Sequence, residues 1–594
     1  MNRIKKWLSI QQNQNARLLL LVGIVLFNVL LWLVSSIVAY LIDPDLYGSI
    51  VSSLWSSGIT WMLEPGFYDP SLSPPIRIIS IIVIITSMIT FSGGIIAYVA
   101  NLFSSIIEHA RKGRNALYIY DHILILNWNT KALELIADYR FDENVTEIVV
   151  LSQFEKDDIE KQIKRKMYDM ADRKHTKKMK VIVKEGDVYS KQDLDHVCLS
   201  EAKTIIILAN EDERQSDIPN NPDILSIKSL MLIANTHLRP EQTIIVEIRD
   251  ESTLPLIMDK ISRQLSLEHQ IIPILSDEML GRLIAQTILY PYLNQVFQEL
   301  LSFAGMEFYS KHNGSFSDEY AFNPCAIPVF ERHGILYMLS ESERHLDQRR
   351  PEPFPKFDGH VQLRHDFSYP ETTIVIFGKN NKLKFILDSL KWFEKDANTT
   401  VHITHIPAND PKTITKYIKD IEKIDTILVL SDDHLDPKDF DSSVLVTLLM
   451  IQEIAKSHQA KIVLELLNPR HYDIAKSYNI DNTIISNQYV SRIITQLSKN
   501  PSLYPLYMEL LTYDAENASY EIYTFPVETM IQSEWPITFA STSELIHTIY
   551  DTSDATFMPI GRISSGVVEI FHGNLDHTGR LTLEQGDQLI VLCK

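Results

Sequence analysis

Three hydrophobic patterns divide the chain. Ala16 to Ile42 carries no charged residue apart from Arg17 at its edge, and Ile78 to Phe103 is a second uncharged run rich in Ile. About 20 apolar residues suffice to cross a bilayer, so each run predicts a membrane-spanning helix. From about His122 the pattern becomes short β-rich runs separated by amphipathic segments: "HILIL", "EIVVLS", "KVIVKEGD", "TIIILAN" and "TIIVEIRD". Buried strands alternating with helices predict a parallel, Rossmann-like α/β sheet.

The third pattern lies between the two spans. "GSIVSSLWSSGITWML", Gly48 to Leu63, is apolar, too short to span, and runs directly into Glu64-Pro65-Gly66. Irregular backbone at membrane depth is tolerated where it is buried in protein or lines water, so this segment reads as a re-entrant pore helix followed by a filter. The competing reading is an ordinary extracellular loop whose Trp55 and Trp61 sit at the interface. On the pore reading Thr60, Glu64, Pro65 and Gly66 form the filter region, and Glu64 would set a ring of carboxylates on a cation pathway. The potassium-filter sequence Thr-Val-Gly-Tyr-Gly is absent, so potassium selectivity does not follow. Gly93 and Gly94 in the second span are a candidate gating hinge, or a site of close helix packing.

Charge fixes an expected orientation. Arg3, Lys5, Lys6 and Arg17 flank one side, Arg111, Lys112 and Arg114 the other, and Asp43 to Pro75 has no Lys or Arg. The positive-inside rule then places both termini in the cytoplasm, as a two-span, multi-pass membrane protein. A cleaved signal peptide would have a shorter apolar core. The net charge of -20 argues against nucleic acid as a partner. Cys198, Cys325 and Cys593 are few and scattered, which suggests neither a disulfide framework nor a zinc site.

The α/β part is written twice. "TIVIFGKNNKLKFIL" repeats "HILILNWNTKALELI", matching Asn129 with Asn380 and Lys131 with Lys382. "SNQYVSRIITQ…MELL" repeats "SDEMLGRLIAQ…QELL", so that Ser276, Arg282, Gln286 and Glu299 pair with Ser486, Arg492, Gln496 and Glu509 at one constant offset. The halves meet at "RRPEPFPKF", Arg349 to Phe357. The expected division is a cytosolic N-terminus (1–15), a span (16–42), an extracytoplasmic loop with the pore helix (43–75), a pore-lining span (76–103) and a connector (104–120). Two α/β domains with small C-terminal subdomains follow (121–348 and 371–594), joined by a linker (349–370).

"EGDVYSKQDLDHVCLSEAKTIIILAN", Glu185 to Asn210, and "LTLEQGDQLIVL", Leu581 to Leu592, resemble RCK (TrkA-N) domains. Two spans, a re-entrant loop and tandem RCK domains together resemble the CASTOR and POLLUX group of ligand-gated cation channels, although with fewer spans than the plant members. The resemblance implies a homotetramer in membrane lipid, conducting cations under the control of an RCK gating ring, and no enzyme activity. The alternative is a pore-less, membrane-anchored RCK sensor that regulates a separate transporter.

Two ligand classes come into question. A dinucleotide needs glycines at the first strand–helix turn, and "NWNTKA" and "GKNNKL" lack the set. Ser152 stands where an acid would hold a ribose. The residues therefore argue against NAD or another nucleotide, and Asn127, Asn129, Lys131 and Ser152 mark a degenerate cleft. Asp432, Asp433, Asp436, Asp439 and Asp441 are a candidate Ca²⁺ loop, since Ca²⁺ takes six to eight oxygens, or else a polar loop whose Asp441 caps the next helix, as Asp223 would in the first copy. Glu185 and Asp187 form a weaker candidate pair.

Overall fold

The computed structural model describes residues 16–63, 69–111, 115–142, 144–170, 179–209, 223–263, 271–290, 292–303, 305–355, 361–364, 369–407, 421, 423–432, 439–480, 482–511, 520–577 and 579–593. They form two compact units, one up to residue 115 and the other from residue 116 onward.

In the first unit one helix runs from Ala16 to Ile42. The other is built of Pro74–Ser87, a π-helical turn Met88–Ser92, and Gly93–Arg111. Both contain stretches long and apolar enough to cross a bilayer. Between them Asp43 accepts a hydrogen bond from Leu46 N at the start of Pro44–Tyr47, and Ser49 accepts one from Ser52 N at the start of Ile50–Ser53. A second π segment, Leu54–Ile59, and the turn Thr60–Leu63 follow. Ala39, Tyr47, Trp61, Leu72, Ile76 and Val83 make a small core, which seats this segment against both long helices.

In the second unit β1 (Ile123–Leu126), β2 (Glu147–Ser152), β3 (Lys180–Glu185), β4 (Thr204–Ile207), β5 (Thr243–Ile248) and β6 (Ile271–Leu275) form a parallel sheet in the order β3-β2-β1-β4-β5-β6. An antiparallel sheet of β7 (Glu307–His312), β8 (Ala326–Arg332) and β9 (Ile335–Ser340) follows. After β10 (Gln362–Leu363), a second parallel sheet is built from β11 (Thr372–Phe377), β12 (Val401–Ile406), β13 (Thr426–Val429), β14 (Lys461–Leu466) and β15 (Thr483–Ile485), in the order β12-β11-β13-β14-β15. The repetition reaches the register. Ile123 pairs with Thr204 as Ile374 pairs with Thr426, and Thr204 with Thr243 as Thr426 with Lys461. The second small sheet sets Glu521–Pro526 beside Gln588–Cys593, followed by Phe557–Ser564 and Val567–Ile570.

β1 and β13 are fully buried along their length because both sheet faces are covered. Part of that cover is exchanged between the repeats. The helix Ser276–Leu289 leaves the first sheet and packs on Leu383–Asp396 of the second, while Ser486–Lys499 leaves the second and packs on Thr130–Asp138 of the first. A Cβ on Gly281 would lie 2.8 Å from both Lys382 O and Phe385 Cβ, so the close crossing requires glycine there. Tyr489 Oη donates to Asn294 O at 2.8 Å, and Asn487 Nδ2 to Thr130 Oγ1 at 2.6 Å. One core cluster consequently includes Ile125 and Val150 of the first sheet together with Ile376 and Val463 of the second.

Candidate functional site

The segment between the spans is held from both sides. Trp32 Nε1 donates to Leu54 O at 2.9 Å and Ser53 Oγ to Ser36 O at 2.7 Å, which fixes the inter-span helix on the first span. Ser87 Oγ of the second helix reaches Trp61 O at 3.4 Å, and Trp61 is 4% exposed. Trp61 is thus a packing residue, whereas Trp55 is 73% exposed. Thr60 opens the turn Thr60–Leu63. Glu64, Pro65 and Gly66 lie outside the described residues. A Cβ on Gly93 would meet only Met88 O, at an ordinary 3.7 Å, while a Cβ on Gly94 would lie 2.8 Å from Ile24 Cδ1. Gly94 is therefore a site of close packing on the first span, and Gly93 follows directly on the π turn.

In the α/β unit, the turns after β1 and β11 each begin with a left-handed residue. Asn127 has φ 75° and Gly378 φ 87°, left-handed values that Asn and Gly tolerate best. Asn127 Nδ2 donates to Leu208 O at 2.9 Å. Asn129 caps the helix Thr130–Asp138, accepting from Ala132 N, and its amide donates to Ala209 O at 3.0 Å. Lys131 Nζ lies 3.0 Å from Glu247 Oε1, whose side chain is fully buried near the end of β5. Ser152, buried at the end of β2, accepts from Phe154 N at 3.2 Å. These cleft residues are thus engaged with the protein itself.

The second cleft is tied more tightly. Lys382 Nζ lies 3.1 Å from Glu465 Oε1 and 3.9 Å from Asp277 Oδ1, which the first repeat contributes. Glu465 also accepts from Asn380 Nδ2 at 2.7 Å, Ser431 Oγ at 3.0 Å, Ser431 N at 3.2 Å and Ser486 Oγ at 2.6 Å. A buried carboxylate with this many donors and a lysine is fully compensated. Its counterpart Glu247 receives Ala209 N at 3.0 Å and Lys131. Alanine at 209, where the second repeat has Ser431, removes a hydroxyl from the first cleft.

Asp433 and Asp436 lie outside the described residues. Asp439 is exposed and makes no side-chain cap bond to the helix Phe440–His458. Asp441, 3% exposed, accepts from Leu467 N at 2.8 Å, Asn468 N at 2.9 Å and His471 Nδ1 at 2.7 Å. It ties the helix to the end of β14 rather than capping its own first turn. Asp223 does the same in the first repeat, accepting from Arg249 N and Asp250 N at 2.9 Å each, with burial raising its pKa. Asp432 stands half-buried after β13. Glu185 ends β3, and Asp187 accepts from Gln153 Nε2 at 3.1 Å and Tyr189 N at 2.9 Å, as a turn residue does. Among the described residues no group of three or more His, Cys, Asp or Glu side chains is placed to hold a metal ion.

Two apolar helices followed by two parallel α/β sheets define the fold class, and in sequence the chain is similar to the CASTOR, POLLUX and DMI1 ion channels. It is 22% identical over 588 residues to the probable ion channel SYM8 of Pisum sativum, covering 81% of this chain and 62% of that one. It is 23% identical to the ion channel CASTOR of Lotus japonicus, covering 77% and 61%, and 23% identical to the probable ion channel POLLUX of Arabidopsis thaliana, covering 82% and 66%. The alignment thus spans a little over three-fifths of the length of these relatives. No protein-family model matches. Among solved structures, the GsuK channel bound to NAD aligns over 98% of this chain and 97% of its own, with a TM-score of 0.38 and 13% identity. GsuK bound to ADP aligns over 82% of this chain and 100% of its own, with the same score and identity. The channel relatives and the two apolar helices support a membrane location.

Proposed function

We propose that four copies of this chain form a cation channel, each contributing two spans and the inter-span segment to one pore and two RCK domains to a cytosolic gating ring. The observation that carries this reading is the inter-span helix, held to the first span at 2.9 Å and 2.7 Å and packed through Trp61, which leads directly toward Glu64-Pro65-Gly66. A loop lying at the membrane surface needs no such anchors. One chain with two spans cannot enclose a pore, so symmetric assembly around an axis is required.

Glu64 would favour cations electrostatically, and the permeant ions would be K⁺ or a wider set including Ca²⁺. Both termini would face the cytoplasm. An ion or small ligand would shift the open population by its differential affinity for two ring conformations. The self-satisfied Lys–Glu pairs disfavour a dinucleotide at either cleft. Ca²⁺ at Asp432 to Asp439 is the ligand to try first, since Asp441 is already committed to backbone and His471. The test is cation flux into liposomes carrying the purified full chain, with the mass of the assembly measured in parallel. Uptake by a four-chain particle is expected. Absence of uptake by inserted protein, with conductance found instead in a co-purifying subunit, would favour the pore-less sensor.

A further inference from the structure

The two π segments of the first unit, Leu54–Ile59 and Met88–Ser92, are both tied to one face of the first span. Trp32 Nε1 holds Leu54 O at 2.9 Å, at the start of the first segment. Asn28 stands four residues earlier, hence on the same helix face. Its Oδ1 accepts from Thr90 Oγ1 at 3.0 Å, in the middle of the second segment, and its Nδ2 is anchored on Ile24 O at 2.8 Å. Asn28 is 2% exposed. An amide at that depth in an apolar helix is costly unless bonded, so its only interhelical partner, among the hydrogen bonds described, gains weight.

A π turn holds one residue more than the α turn it replaces. Its collapse to α-helix would therefore rotate everything beyond it, Gly93–Arg111, by about 100° relative to Pro74–Ser87. Thr90 Oγ1 also lies 2.7 Å from Thr86 O, so its one hydroxyl hydrogen is shared between that carbonyl and Asn28 Oδ1. Gly94, immediately beyond, lets the second helix lie against Ile24.

We propose that Asn28 is a positioning residue that latches the π turn Met88–Ser92, and that release of this latch rotates the C-terminal half of the second span and changes the gate. This refines the Gly93-Gly94 hinge into a twist that begins one turn earlier. It rests on the channel reading above.

The test is single-channel recording of Asn28→Leu, Thr90→Val and the double variant, with Thr90→Ser as the conservative control and Asn28→Cys/Thr90→Cys as a proximity check. Each single variant is expected to change the open-to-closed ratio in the same direction, by about 3- to 10-fold, the usual size of one interhelical hydrogen bond in a membrane. The double variant should add nothing to either, Thr90→Ser should retain the wild-type ratio, and the cysteine pair should cross-link. Additive effects, an unchanged ratio in conducting protein, or failure of folded double-cysteine protein to cross-link would each overturn the latch. Absence of current in the wild type would instead overturn the channel reading, while cross-linking is measured independently of current.

Discussion

Among single side chains, the informative groups are the buried carboxylates Glu247 and Glu465, each paired with a lysine. Lys382→Met would leave Glu465 fully buried without its cation, the situation that typically costs about 3–5 kcal/mol. Lys131→Met should cost a comparable amount, since Glu247 has fewer other donors to share the loss. Urea denaturation midpoints of the α/β unit in the full chain would measure both.

Glu521 is the opposite case. Burial raises its carboxyl to about 7, with Tyr523 Oη donating to it at 2.7 Å. A carboxyl raised above its unfolded value opposes folding once ionised, so its contribution to stability falls as pH rises from about 4.5 to 7. Glu521→Gln should therefore stabilise the protein at about pH 8 and make little difference below about pH 4.5. His122 runs the other way, because burial lowers it to about 4. The unfolded chain takes up the proton first, and stability falls as pH drops from 6.5 toward 4. His122→Gln should flatten that acid limb in denaturation midpoints measured across the range.

Among the helices and strands, the exchanged pair Ser276–Leu289 and Ser486–Lys499 joins the two sheets through a common core. Gly281→Ala inserts a Cβ 2.8 Å from a backbone oxygen and a Cβ of the facing helix, so the helices must separate. A loss of about 1–3 kcal/mol is expected, read from the denaturation midpoint. The equivalent position in the other exchanged helix is Ser491, whose Oγ bonds Asn487 O within its own helix at 2.8 Å. Ser491→Ala should change stability by much less.

The repeat itself was legible in the residues, because Asn129 and Asn380, Lys131 and Lys382, and the serines opening the paired helices recur in order. The exchange was not legible. An amphipathic helix declares that it has an apolar face, not which of two equivalent sheets that face will cover. Asp441 shows a similar limit: its helix position suggests a cap, but its partners, Leu467 and Asn468, lie 26 and 27 residues away across a strand. The bond between Asn28 and Thr90 spans 62 residues and leaves no periodic signal. The cleft lysines were readable as positive groups, whereas their burial against Glu247 and Glu465 depends on sheet order.

Across the full chain, a membrane unit with an anchored inter-span helix is followed by a duplicated α/β unit with self-filled clefts. The channel function proposed above assigns conduction to the first and ligand response to the second. The decisive measurement is single-channel current from the purified full chain in planar bilayers under K⁺, Na⁺ and Ca²⁺ gradients, with Glu64→Gln recorded beside the wild type. Unitary, cation-selective currents are expected, with an amplitude or reversal potential that changes in the variant. Folded, inserted protein that passes no current under any gradient would contradict a pore between these spans, and a conductance that Glu64→Gln leaves untouched in both properties would contradict the filter.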